Sequence, residues 1–245
     1  MECFIVDESG IDLTSKTLVL RDDEARHAVR VLRISEGEIL MATTLHGVCF
    51  KAKCMRSGQP SKNEWECECR IEEILPEHNE PHTDIQLIQV ITGQQSKLEE
   101  IVEKVTEIGV KSIVPVYSKR SEKRTVNVAR LERIIRTACK QSHRAQMPEL
   151  YGVRNLSEAL LGAKKDERRI IFLHESAPRD NSLLKILTEK KNNKIALVIG
   201  PEGGFDETEV LLAQQAGAHI ASLGTRRLRA ETAAIMAVSI TMAGE

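Results

Sequence analysis

The stretch Ile195-Ala196-Leu197-Val198-Ile199-Gly200-Pro201-Glu202-Gly203-Gly204-Phe205-Asp206 decides the fold class. Its first five residues are apolar without alternation, as in a strand covered on both faces. They run into a turn with three glycines in five positions, where backbone can approach a flat ligand without interference from Cβ. Pro201 fixes one dihedral of that turn. Asp206-x-x-Glu209 then opens a helix to about Ala216 with capping-box chemistry. The turn is neither G-x-G-x-x-G nor G-x-x-x-x-G-K-[ST], which argues against a dinucleotide-binding or P-loop enzyme.

Outward from this unit the same alternation recurs. Upstream, Ile85 to Ile91 reads as a strand. Leu98, Ile101, Val102, Val105 and Ile108 mark one face of a helix that Gly109 ends. Ile113 to Tyr117 is a strand whose Pro115 points to an edge or a strand end. Val128 to Ser142 is helical with Leu131, Ile134, Ile135 and Ala138 inward. Ile170 to Leu173 is a strand, followed by a helix near Ser182 to Glu189. Downstream, Ile220 to Leu223 is a strand, and a final helix runs from about Arg229 to Met242. Strand–helix alternation of this kind predicts an α/β domain with a parallel sheet covered by helices on both faces.

Residues 1–75 read differently, as short strands at Leu18–Leu20, Glu38–Met41, Val48–Cys54 and Trp65–Ile71, with a short helix over Glu24–Val31. A compact β-domain is expected there. Pro76-Glu77-His78-Asn79-Glu80-Pro81 has no periodicity and is read as the linker, 76–81. The α/β domain is then 82–245.

Charge is divided between the two parts. Residues 1–80 carry 10 basic and 16 acidic side chains, and residues 81–245 carry 25 and 20, so the net charges are −6 and +5. Within the second part, Lys119, Arg120, Lys123, Arg124, Arg130, Arg133, Arg136, Lys140 and Arg144 are opposed by Glu122 and Glu132 alone. Such an excess suits a polyanionic partner, although a solvated helix face would look the same. None of the six cysteines forms a C-x-x-C pair, so free thiols and no metal site are expected. The opening residues lack a basic n-region and an apolar h-region, and no apolar run is long enough to span a bilayer. A cytoplasmic chain without a membrane partner is expected.

In an open α/β sheet, ligands bind beyond the carboxyl ends of the strands. Three strand ends carry unusual residues: Leu173-His174-Glu175-Ser176, Ile199 to Phe205, and Leu223-Gly224-Thr225-Arg226-Arg227-Leu228-Arg229-Ala230-Glu231-Thr232. Glu231 falls in a first helical turn, where a carboxylate is favoured. Arg229 falls where a cation is not, which suits an arginine held for a ligand or an anionic group.

At these residues a resemblance becomes specific. Gly200-Pro201-Glu202-Gly203-Gly204-Phe205, followed by Leu223-Gly-x-Arg-x-Leu-Arg-x-Glu-Thr-Ala233, resembles the paired signature of the bacterial 16S rRNA uridine-N3 methyltransferases, the RsmE family of the SPOUT superfamily. Val29-Arg30-Val31-Leu32-Arg33, Lys97 with Thr106-Glu107-Ile108-Gly109-Val110, and Gln141-Ser142-x-Arg144 with Pro148 resemble further family elements. Leu45-His46-Gly47-Val48 departs from the family's usual Asp-Gly turn.

The resemblance implies a PUA-like N-terminal β-barrel that contacts RNA, and a C-terminal domain with a deep trefoil knot. It also implies a homodimer and S-adenosylmethionine as methyl donor, bound in a bent conformation by the knot loops. The donor site would comprise Leu173, His174, Ile199, Gly200, Gly203, Gly204, Leu223, Gly224, Leu228, Thr232 and Ala233. Arg229 would stabilise the uridine anion. Glu202 and Glu231 would act as base or orienting group, with turn support as the other reading of Glu202. The partner would be 16S rRNA or the small subunit, modified at the position-1498 type of uridine. Arg30, Arg33, Lys123, Arg124, Arg136 and Arg144 are the candidate RNA contacts. Two other readings stay open: a SPOUT 2′-O-ribose methyltransferase, whose third loop would carry a Ser-Leu-Asn-Val-Ser type stretch, and a non-catalytic ribosome-binding protein of the same fold.

Overall fold

The computed structural model describes residues 1–61, 64–121, 125–178, 180–189 and 193–243. Lys123 and Arg124 lie outside them. The chain divides into two compact units, Met1–Glu80 with Arg136–Met147, and Pro81–Ile135 with Pro148–Glu245.

In the first unit, β1 (Cys3–Ile5), β2 (Ile11–Asp12), β3 (Thr17–Arg21), β4 (Ile39–Thr43), β5 (Val48–Ser61) and β6 (Glu64–Pro76) form one sheet in the order β1-β4-β5-β6-β3-β2. β1 runs parallel to β4 and the other pairings are antiparallel. Helix α1 (Asp22–Arg26) continues into a π-turn over His27–Val31 and buries Ala25 and Ala28. Alternation decides what is inside: Cys67, Cys69 and Ile71 of β6 are buried while Glu66, Glu68 and Arg70 are exposed. The Cys67 sulfur lies 3.7 Å from that of Cys54 and 3.6 Å from that of Cys69, and all six cysteines are free and buried. The strands β5 and β6 outrun the apolar pattern that announces them, because the pairing continues past Cys54 although none of Met55 to Ser61 is buried.

Segment Arg136–Met147 is fastened to this sheet by buried polar contacts. Arg144 donates from Nε to Glu80 Oε1 at 3.2 Å and from Nη2 to Oε2 at 2.7 Å. Its carbonyl accepts from the Thr43 hydroxyl at 3.0 Å. Lys140 Nζ lies 2.8 Å from a Glu24 carboxylate oxygen. This corrects the expectation that Arg144 contacts RNA: its side chain is 2% exposed and its fork is filled by a carboxylate. The basic run as a whole is less free than its composition implies. Arg130 pairs with Glu99 at 2.6 Å and Lys119 with Asp206 at 3.3 Å. Arg136, like Arg30 and Arg33, is exposed.

The second unit contains β7 (Asp84–Val90), α2 (Gln95–Ile108), β8 (Ser112–Tyr117), α3 (Val128–Ser142), β9 (Glu149–Leu150), β10 (Arg154–Asn155), α4 (Leu156–Lys165), β11 (Arg169–Leu173), α5 (Leu183–Glu189), β12 (Lys194–Ile199), α6 (Glu207–Gln215), β13 (His219–Ala221) and α7 (Ala230–Met242), with the far end of α3 grouping with the first unit. The sheet is parallel throughout, in the order β10-β8-β7-β12-β11-β13, with β9 also on β8. One face, including Ile88, Val114, Phe172 and Val198, packs on α4 and α6. On the other side α7 packs against α2, α5 and β12. Both faces are therefore covered, as the unbroken apolar strands require.

Local chemistry sets the element ends. Gly109 closes α2 at φ 119°, in the left-handed region. Asp206 accepts from the Glu209 N–H at 2.8 Å and Glu209 accepts from the Asp206 N–H at 2.9 Å, so the expected capping box forms. Pro115 sits between the residues of β8 that pair with β9 and those that pair with β10, where its missing N–H leaves no ladder bond unmade.

Candidate active site

The three strand ends singled out in the sequence follow β11, β12 and β13, and they converge on one cavity of about 690 Å³, open mouth included. Parallel strands put their carboxyl ends on the same side, and β11 is bonded to both β12 and β13, so their three loops are neighbours. From β11 come Leu173, His174 and Glu175. From β12 come Ile199, Gly200, Pro201, Glu202, Gly204 and Phe205. From β13 and the start of α7 come Ser222, Leu223, Gly224, Arg226, Arg227, Leu228, Ala230 and Ala233.

Nine of the eleven residues expected to hold the donor line this cavity. Gly203 and Thr232 do not; the Gly203 carbonyl instead accepts from Arg120 Nη1 at 2.9 Å, and Thr232 is exposed on α7. Gly200 is required by packing. A Cβ there would lie 2.9 Å from the ring of Phe205, which is buried and sits against Phe172 at a centroid distance of 4.2 Å. Gly204 and Gly224 have φ of 66° and 111°, a region that favours glycine. The apolar side chains of Leu173, Ile199, Leu223, Leu228 and Ala233 supply walls suited to a flat heterocycle.

Glu202 is engaged in holding loops together. Its Oε1 lies 3.0 Å from Lys97 Nζ, and its Oε2 accepts from the Gly93 N–H at 3.3 Å. Burial raises the carboxyl pKa, but the N–H of its own residue, Lys97 and Gly93 outweigh that and hold it below the ordinary value. A carboxylate so stabilised is a weak proton acceptor. Glu231 is different. Its Oε1 lies 4.0 Å from Arg229 Nη1, and its buried Oε2 has no hydrogen-bond partner among the described residues. Arg229 itself is the N-cap residue of α7, makes no side-chain cap bond and is 81% exposed. Neither Arg229 nor Glu231 lines the cavity; both flank it at the start of α7.

Several residues around the cavity have roles that the sequence does not show. Lys119 and Arg120, in the loop after β8, grip the β12 loop and the start of α6, where the Lys119 N–H donates to Glu209 at 2.8 Å and its ammonium bonds the Thr208 hydroxyl. Arg227 donates to the Glu202 carbonyl at 3.3 Å and lies 3.6 Å from Glu175. The sequence signal for Arg227 and Glu175 is their place in the unusual strand ends; Lys97 stands out only as part of a family element and Arg120 only as part of the basic run, neither as a partner of the cavity loops. His174 Nδ1 accepts from the Ser176 N–H at 3.3 Å and lies 2.7 Å from its hydroxyl. Among the described residues no cluster able to hold a metal ion is found, and no helix is long and apolar enough to cross a membrane.

Known proteins agree with this geometry. The profile of the RNA methyltransferase domain family matches residues 78–242. A ribosomal RNA small subunit methyltransferase E from Aquifex aeolicus is 33% identical over 92% of this chain and 93% of its own length. The Bacillus subtilis protein of the same name is 27% identical over 91% and 88%. Among solved structures, the Neisseria gonorrhoeae ribosomal RNA small subunit methyltransferase E bound to S-adenosyl methionine superimposes with a TM-score of 0.79 at 29% identity, covering 97% of this chain and 95% of that one. A Legionella pneumophila methyltransferase in complex with the same cofactor gives 0.80 at 29% identity, covering 100% and 98%. A family profile spanning the whole cavity, and a relative one-third identical across nearly the full length of both chains, place the chain in the ribosomal RNA small subunit methyltransferase E family of RNA methyltransferases.

Proposed function

We propose that this chain transfers a methyl group from S-adenosylmethionine to N3 of a uridine in small-subunit ribosomal RNA, at the position-1498 type of 16S rRNA. The observation that carries the reading is the largely apolar cavity lined by the three strand-end loops, in a chain with solved relatives named with that donor bound. The residues fit the donor: glycines at Gly200, Gly204 and Gly224 keep side chains off the loop backbone, and the aliphatic walls suit adenine.

When bound, the donor supplies an electrophilic methyl on a sulfonium. The chain's own work is to orient the uracil and to manage the N3 proton, because N3 is a poor nucleophile until that proton leaves. Glu231 is the better placed carboxylate for this, since its Oε2 has no partner among the described residues, whereas Glu202 is committed to Lys97 and Gly93. Arg229 beside it is the cation for the developing charge on O2 or O4. Base methylation is favoured over ribose methylation because Leu228-Arg229-Ala230-Glu231 stands where a 2′-O enzyme would carry a Ser-Leu-Asn-Val-Ser type stretch.

The same reading includes a PUA-like barrel for the first unit and a trefoil knot in the second, of SPOUT type. One feature supports the knot. β13 lies at the sheet edge, yet α7, directly after it, packs on α2 and the more central β12. A homodimer is part of the reading, and the high exposure of Arg229 on one chain suits a site that a second copy completes. Arg30 and Arg33 on the first unit, with Arg136, are the exposed cations for RNA, and a ribosomal substrate implies the cytoplasm.

Incubating the protein and labelled donor with small subunits that lack the modification tests this. Label on uridine N3, located by mass spectrometry, is the expected result. Label on a ribose supports the 2′-O alternative, and donor binding without transfer supports a ribosome-binding protein.

A further inference from the structure

The apolar cavity has a charged rim that the reaction does not use. Glu175, from the loop after β11, and Arg227, from the loop after β13, both line it and face each other with Arg227 Nε 3.6 Å from Glu175 Oε2. Their side chains are 62% and 72% exposed. A pair this loose and this wet adds little to stability, so exchanging partners costs little. Glu202, the other carboxylate on the lining, is already satisfied by Lys97 and Gly93. The cavity, which Arg226 also lines, thus joins aliphatic walls to an anion and a cation already facing each other from adjacent loops. A ligand complementary to that arrangement has a flat apolar body and a compact zwitterion at one end.

We propose that Glu175 and Arg227 recognise the α-amino-acid end of the methyl donor, with the Arg227 fork taking the carboxylate and Glu175 the ammonium. The proposal rests on the reading of the cavity as the donor site and adds to it the residues that select for the amino-acid group. An arginine fork matches a carboxylate in two hydrogen bonds, which an ammonium cannot copy. On ligand entry the Arg227–Glu175 contact gives way to two contacts of the same kind, and each charge keeps a partner of opposite sign. The Arg227 bond to the Glu202 carbonyl lets the same side chain hold the β12 loop while it binds.

Calorimetric titration of the full chain separates the possibilities without turnover. The probes are S-adenosylhomocysteine, its analogue lacking only the carboxylate, and 5′-methylthioadenosine, which lacks the whole amino-acid end. Arg227→Ala is expected to weaken S-adenosylhomocysteine about tenfold, the scale of one lost charge-assisted hydrogen bond, and to leave methylthioadenosine unchanged. Glu175→Ala is expected to weaken both S-adenosylhomocysteine and the decarboxylated analogue, while Arg227→Ala leaves that analogue alone. Equal losses for all three probes would reduce the pair to a clasp that shapes the loops, and no loss for S-adenosylhomocysteine would also overturn the proposal. Failure of the unaltered protein to bind any of the three would instead overturn the donor-site reading on which this rests.

Discussion

Arg229 occupies the N-cap position of α7 with extended backbone, φ −70° and ψ 157°, and its guanidinium makes no cap bond. A cation there opposes the helix dipole, so the residue is held against a small local cost. Its neighbour Glu231, at 4.0 Å, is the only partner that orients it among the described residues, and the second oxygen of that carboxylate is left open. If Arg229 stabilises charge that develops on the uracil, its effect belongs to the transition state. Arg229→Ala is expected to lower the single-turnover methyl-transfer rate about a hundredfold with donor affinity and melting temperature nearly unchanged. Arg229→Lys should rescue poorly, since an ammonium lacks the fork that spans two acceptors. A near-normal single-turnover rate in the alanine variant would remove Arg229 from the chemistry.

The turn after β12 and the helix after it show how one element serves both packing and binding. Gly200 has no room for a methyl group because the Phe205 ring folds back over it onto Phe172. Gly200→Ala is therefore an overpacking change, expected to cost about 1–3 kcal/mol and to weaken donor binding as the loop shifts. Urea melts and donor titration would both have to be normal for this account to fail. Asp206, which caps α6, has its carboxyl pKa lowered from 3.8 to about 2 by the Thr208 hydroxyl, the Glu209 N–H and Lys119. A depressed folded pKa means that the cap contributes fully above pH 3.8 and is lost as pH falls through about 2. Acid melts of Asp206→Asn should therefore converge with those of the parent chain only at that low end. Much of this layer is legible in sequence, because capping boxes, helix-ending glycines and apolar strands act locally. Leu98 to Gly109 and Asp206 to Ala216 are examples. What escapes is either too short or too polar to carry a period. β9 and β10 are two residues each, and the Asn155–Glu158 capping box that opens α4 lies ahead of a helix whose apolar face the pattern reading passes over. The cavity is legible as three strand ends, but Lys97 from the first turn of α2 and Lys119 and Arg120 from the loop after β8 hold its surroundings from positions distant in sequence, where only folding reveals their partners.

The largest departure from a linear reading is segment 136–147, which carries cations typical of an RNA surface and spends two of them inside the first unit. Arg144 and Glu80 are 2% and 6% exposed, and the Gln146 N–H adds a third bond to the same carboxylate at 2.9 Å. Removing one partner leaves the other buried and uncompensated, so Arg144→Ala is expected to destabilise the chain by about 3–5 kcal/mol. A paired change, Arg144→Met with Glu80→Gln, should recover part of that in equilibrium urea unfolding; equal loss in both variants would mean that packing rather than charge sets the cost. Cys3, Met41 and Cys49 likewise share their buried cluster with Ala145, and the Gly47 N–H donates to the Ala145 carbonyl at 2.9 Å. The first unit is therefore assembled from two stretches of chain separated by 55 residues that belong elsewhere. On the ribosome, the first 80 residues emerge before the stretch that completes their core has been synthesised. Glu80 must wait, with its carboxylate in water, until codon 144 has been read and its arginine has left the exit tunnel, and a nascent chain arrested before that point carries an unfinished amino-terminal body.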